Sequence, residues 1–98
     1  MNIRILPEAE RDLELGADFY ESQRDGLGRY FNECLASDIE SLRLYAGTHE
    51  RAFGLYRCIS DRFPFAIFYN FDGDRVDDYA VLDCRQDPES IEDRLTSN

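Results

Sequence analysis

The heptapeptide FAIFYNF at 65–71 constrains this chain more than any other segment. Phe65, Ile67, Tyr69 and Phe71 alternate with Ala66, Phe68 and Asn70, so a strand built from it is apolar on both faces. Such a strand belongs inside a sheet that is covered on both sides. Pro64 marks a turn before it. Asp72-Gly73 follows as a hairpin signal, because glycine accepts the positive φ that tight hairpin turns need. Strands at 53–60 and 75–83 flank it, which makes the sheet small and mainly antiparallel.

The cover must come from the rest of the chain. Residues 2–6 alternate, with Ile3 and Ile5 against Arg4 and Leu6, and read as a short first strand. Pro7 suits the first turn of a helix over 7–23, and Glu8, Glu10 and Asp12 sit where the helix dipole favours acids. Ala9, Leu13, Ala17 and Tyr20 recur at helical spacing. Gly16 on that apolar side permits close packing against a neighbour. Arg24-Asp25-Gly26 breaks the chain, and a second helix over 27–46 carries the stripe Leu27, Phe31, Leu35, Ile39, Leu42, Ala46, with Cys34 beside it. Gly47 is placed to end it in a left-handed cap. Helices so closely linked form an antiparallel hairpin that shields one sheet face. Asp87 and Pro88 start a short C-terminal helix, which docks through Ile91 and Leu95, while 96–98 fray. The expected fold is α+β, a single domain over 1–98 in the order β-α-α-β-β-β-α.

Charge limits what the domain can bind. Twenty-one acids stand against eleven arginines and no lysine, a net −10. Residues 51–71 alone are basic, at +2, with Arg51, Arg57 and Arg62 against Asp61. An acidic surface is poorly suited to a wide grip on nucleic-acid backbone, because that binding grows with the phosphates neutralised. No apolar run is long enough for a membrane span and the N-terminus lacks a signal region, so a cytoplasmic location is expected. Cys34, Cys58 and Cys84 are odd in number and widely spaced. They read as small buried apolar residues, with no disulfide framework or metal centre expected. No cofactor is expected, since there is no glycine-rich phosphate loop. His49 reads as a solvated loop residue, and Tyr56, Tyr69 and Tyr79 as core or cross-strand packing.

With RFPFAIFY (62–69) on the middle strand and VLDCRQDPESI (81–91) closing the sheet, this element order resembles the RelE/ParE superfamily of toxins. These are the toxin halves of bacterial toxin–antitoxin, or plasmid-stabilisation, modules. LPEAERDLELGADFYESQRDGLG (6–28) is similar to the family's first helix and its turn. The resemblance implies a helical hairpin on a small sheet, wrapped by an antitoxin's extended or helical tail. It also implies one of two activities: cleavage of messenger RNA in the ribosomal A site, or poisoning of DNA gyrase without catalysis.

The RNA-cutting members carry basic residues on the first strand after the helices, on the middle strand and after the last strand, often with an aromatic hydroxyl on the C-terminal helix. Arg57 matches the first position and Arg85 the third, but Ala66 and the neighbourhood of Ile91 stand at the other two. The resemblance therefore implies a ParE-like toxin that acts by protein binding, with gyrase as target and a co-encoded antitoxin as neutraliser. The alternatives are a RelE-like endoribonuclease using Arg57, Arg62 and Arg85, or a degenerate module that only binds. Arg57, Arg62 and Arg85 are the candidate recognition residues, unless each is absorbed by a nearby acid such as Asp61, Asp83 or Asp87. Phe53, Tyr56 and Phe68, with Tyr79, are the candidate exposed aromatics, because one hairpin cannot cover both faces of the sheet. An antitoxin tail bearing Arg or Lys would fill that patch, and a homodimer through the same surface is the rival.

Overall fold

FAIFYNF lies at the centre of the sheet, as its two apolar faces require. The computed structural model describes residues 1–96; Ser97 and Asn98, part of the expected frayed end, lie outside the described residues. The elements are β1 (Asn2–Ile5), α1 (Pro7–Gln23), α2 (Leu27–Glu40), α3 (Leu42–Tyr45), β2 (Glu50–Ala52), β3 (Leu55–Ile59), β4 (Phe65–Phe71), β5 (Arg75–Asp83) and α4 (Pro88–Thr96). The strands run β1-β5-β4-β3-β2, antiparallel except for the parallel β1–β5 pair. Among the described residues no helix is long and apolar enough to cross a membrane.

The α1–α2 hairpin covers one face. Phe31, Leu35 and Ile39 of α2 and Leu42 of α3 pack there on Ile67, Tyr69 and Val81 of the sheet. Gly16 makes the close approach possible, since a Cβ there would lie 2.6 Å from the Phe31 ring. The turn between the helices is held by Glu21, whose carboxylate accepts the backbone N–H groups of Gly26 and Gly28 at 3.0 and 2.9 Å. The expected helix over 27–46 is interrupted at Ser41. The Ser41 hydroxyl donates to the Asp38 carbonyl at 2.6 Å, a local bond of the kind that competes with the helical ladder. The chain then leaves the helices through Gly47, at φ +87, as expected.

Two strand expectations need correction. The single strand over 53–60 is a hairpin, β2 and β3, joined by Phe53-Gly54 at φ +55 and +82. Positive φ at both positions is the type I′ hairpin geometry, which Asn-Gly announces and Phe-Gly does not. The sheet therefore has five strands. Tyr79 is not cross-strand packing: β4 and β5 slip register between Phe68/Tyr69, pairing Phe68 with Ala80 and Tyr69 with Asp78, and Tyr79 is left out at 41% exposed.

The second face is closed by α4. Asp87 caps it, accepting the Ser90 N–H at 2.9 Å. Ile91 and Leu95 pack on Ala66, Phe68, Ala80 and Leu82. Phe68 is consequently 2% exposed. The cysteines do not behave alike either: Cys58 is buried, Cys34 is half-buried and Cys84 is exposed. Cys34 lies on α2, Cys58 on β3 and Cys84 in the turn after β5, and these positions decide the exposure, which composition does not carry.

Candidate functional site

The basic stretch of the sequence builds the β2–β3 hairpin, the turn after it and β4. At the hairpin tip an aromatic residue occupies backbone that L side chains enter at a cost of about 1–2 kcal/mol. Phe53 is 40% exposed there. Beside it the Arg51 guanidinium lies 4.5 Å from the centroid of the Tyr56 ring and donates to the Gly54 carbonyl at 3.1 Å. Tyr56 in turn stacks on Tyr69, with centroids 5.2 Å apart and planes at 22°. The result is a ladder of flat groups, from Arg51 at the surface through half-buried Tyr56 to buried Tyr69. Replacing Phe53 with asparagine should relieve the turn and raise stability by about 1 kcal/mol. Thermal unfolding of the variant checks this, and a lower melting temperature would mean that the ring makes contacts worth more than the strain.

The histidine is not solvated as expected. His49 is half-buried, and its Nδ1 lies 2.5 Å from the Tyr69 hydroxyl, which also accepts the Gly47 N–H at 3.0 Å. Burial lowers the His49 pKa, so at neutral pH the ring is uncharged and Nδ1 accepts the phenol proton. Burial likewise raises the Tyr69 hydroxyl. The pair locks the turn at Gly47 to the centre of the sheet and offers no charged group to a ligand.

The three candidate arginines do not converge. Arg57 lies opposite Glu50 in the β2–β3 register, on the face that α4 covers, and forms an ion pair with it. Its Nε is buried without a hydrogen-bond partner among the described residues. Arg62, in the turn between β3 and β4, points to the helical side and donates to the Tyr30 hydroxyl of α2 at 3.2 Å. Arg85, after β5, grips Asp83 with Nε and Nη2 at 3.0 and 2.7 Å. That pairing raises the Arg85 pKa and lowers that of Asp83. Two of the three are thus held by acids, and Arg62 rests on a phenol. The two apolar positions, Ala66 of β4 and Ile91 of α4, are buried in one cluster between α4 and the sheet, at 0% and 9% exposed. Of the candidate aromatics, Phe53 and Tyr79 are exposed, Tyr56 is half-buried, and Phe68 is withdrawn into the core because α4 lies over it.

Cysteine chemistry is also muted. Burial, then the charges of Asp38, Asp61 and Asp78, push the Cys58 thiol up to about 11. Cys84, although exposed as a residue, has its thiol raised by partial burial of the sulfur. Neither thiol is activated toward the nucleophilic thiolate near neutral pH.

A helical hairpin on one face of a five-stranded mixed sheet and a short C-terminal helix on the other define the architectural class. No family model matches the chain, and no curated protein matches it. Among solved structures, it is similar to a chain described as "Chromosomal ParDE TA system from P. aeruginosa". The TM-score is 0.67, over 83% of this chain and 92% of that one, with 15% sequence identity. At that identity the likeness is one of fold.

Proposed function

We propose that this chain is the toxin half of a type II toxin–antitoxin module, ParE-like in action, binding DNA gyrase and neutralised by a co-encoded antitoxin. The observation that carries the reading is the fold likeness to a chain of a ParDE toxin–antitoxin system, across nearly the whole length of both. Fold alone does not assign an activity, so the choice between binding and cleavage rests on the residues. Cleavage of RNA needs cations free to meet the charge on the scissile phosphate, and groups able to move protons. Here Arg57 and Arg85 are paired with acids, His49 is uncharged and bonded to Tyr69, and Ala66 and Ile91 are buried where α4 packs on the sheet. The net charge of −10 also opposes entry into ribosomal RNA. These features favour a protein that works by contact. Phe53, Tyr56, Arg57, Arg62 and Arg85 are its proposed recognition residues, with Phe68 supporting the sheet from within.

Induction of the protein in growing cells, followed by plasmid topology and transcript integrity, tests this. The expected result is growth arrest with loss of negative supercoiling and intact messenger RNA. Arrested translation with cut transcripts would select the endoribonuclease instead, and Arg57→Ala with Arg85→Ala would then have to slow cleavage. Normal growth at full expression would leave a binding module without toxicity.

A further inference from the structure

Two exposed apolar features sit at opposite ends of the sheet. At one end, Phe53 holds φ +55 with its ring 40% exposed, and backbone strain of this kind clusters at binding and switch sites. The neighbouring Arg51 lies over Tyr56, Tyr56 stacks on Tyr69, and Tyr69 is bonded to His49 and Gly47. The tip is therefore carried on a rigid support, which reduces the entropy lost when its side chains are buried. At the other end, Leu15, Gly16 and Phe19 of α1 form a groove of about 260 Å³ with Phe65, Val81 and Leu82 of the sheet. Leu15 and Phe19 are each 51% exposed. Phe65 begins β4, whereas Tyr69, toward the other end of that strand, pairs with Tyr56 beside the tip. The tip thus cannot fold back into the groove of its own chain, and only another molecule can bring the two together.

We infer that Phe53 of one copy of this chain inserts into the Leu15–Phe19 groove of a second copy, joining the two head to tail. Charge selects this pairing of surfaces. Residues 51–71 are the basic stretch, at +2, whereas α1 carries six acids against the single Arg11. At the groove, Asp12 and Asp83 are already paired with Arg94 and Arg85. Asp18 stands three positions from Leu15, and so beside it on the helix. Among the described residues neither Asp18 nor Arg51 is in an ion pair. The entering tip therefore brings an unmatched cation to an acidic helix. A groove-to-groove dimer would instead set two copies of α1 against each other, six acids facing six. The net charge of −10 on each copy opposes the approach and keeps the association weak. Because the contact joins two different surfaces, each copy retains a tip or a groove for the next.

Sedimentation velocity of the full chain from ~10 μM to ~1 mM, the range of weak association, tests this. The average mass should rise with concentration above that of one chain. Phe53→Asn, which suits the turn, and Leu15→Lys, at a half-exposed helix position, should each weaken association at least ~10-fold with an unaltered circular dichroism spectrum. Arg51→Glu should weaken it by a similar factor. An equimolar mixture of Phe53→Asn and Leu15→Lys should associate again but stop at two chains. The intact tip of one variant fits the intact groove of the other, and nothing remains to extend the chain of contacts. A wild-type protein that keeps the mass of one chain at ~1 mM would overturn the inference. So would association that survives Phe53→Asn or Arg51→Glu, or a mixture that associates no better than its components. The inference does not depend on the toxin assignment, which growth arrest on induction reads separately.

Discussion

Replacing Asp78 with asparagine should raise stability near pH ~8 by about 4 kcal/mol and change it little near pH ~4. Asp78 is 0% exposed, and neither carboxylate oxygen has a hydrogen-bond partner among the described residues. It sits beside the slip in the β4–β5 register, opposite Tyr69 and next to Ile5 of β1. The neighbouring Asp77 has cations, with Arg4 and Arg75 each at 3.1 Å, but Asp78 has none. Burial, and secondarily the Asp77 charge, push its pKa from 3.8 to about 7. The folded state therefore holds a proton that the unfolded chain releases above its ordinary pKa. The resulting stability is fully present below the unfolded pKa and is lost as pH rises through the folded value. At about 1.4 kcal/mol per unit, that window accounts for the expected gain.

Urea unfolding of both proteins across this range provides the measurement. The variant's advantage should grow steadily with pH up to about 7 and then level off. An advantage independent of pH would show that Asp78 does not titrate between the two values. A carboxylate of this kind also leaves the free chain less stable at neutral pH than its core would allow. A partner that binds only the folded form would make up that deficit by mass action.

Breaking the contact between Arg94 and Asp12 should cost about 3 kcal/mol, because it strands a buried charge. Asp12, on α1, is 8% exposed; its Oδ2 accepts the Val81 N–H at 3.0 Å, where β5 runs on beyond the end of β1. Arg94 of α4 reaches the same carboxylate with both terminal nitrogens, at 2.7 and 2.8 Å. One carboxylate thus closes the open edge of β5 and ties the helix on one face of the sheet to the hairpin on the other. The bond to Asp12 is the main reason that the Arg94 pKa rises. Arg94→Met should show the full loss. Asp12→Leu combined with Arg94→Met should recover part of it, at most about 2 kcal/mol, because an unpaired Val81 N–H still costs at least about 1 kcal/mol. Chemical denaturation of the two single variants and the double closes the cycle, and strictly additive effects would mean that the pair is not coupled. Hydrogen exchange at Val81 gives an independent reading, since its protection should fall in both variants that lack Asp12.

Much of the architecture was legible because it is local. Two-sided apolarity placed 65–71 inside the sheet, the stripe from Phe31 to Leu42 placed the helical hairpin over it, and Gly47 and Asp87 ended and began helices through their own backbone and side-chain chemistry. The β2–β3 turn was missed for an equally local reason: Phe53 adopts a conformation that its residue type disfavours, so no turn signal was present to read. The candidate site was less legible. Arg57, Arg62 and Arg85 stood out as cations, but strand parity sends Arg57 to the α4 face, while the turns after β3 and β5 bring Arg62 and Arg85 to Tyr30 and Tyr20 of the helical hairpin. Phe68 looked as available as Phe53 until α4 covered it.

Residue order alone determined the periodicities, the caps, the acidic balance and the central strand, because each depends on neighbours within a few positions or on composition. Only the tertiary structure decided which charges are spent and which surfaces remain open. Asp12 meets Arg94 across 82 positions and His49 meets Tyr69 across 20. Among the described residues Asp78 is buried without a hydrogen-bond partner, and Ile3 and Ile5 lie on an edge strand beside an apolar groove. Burial, pairing and edge position depend on what the fold packs against each residue, and the free energies attached to them arise only once water has been excluded.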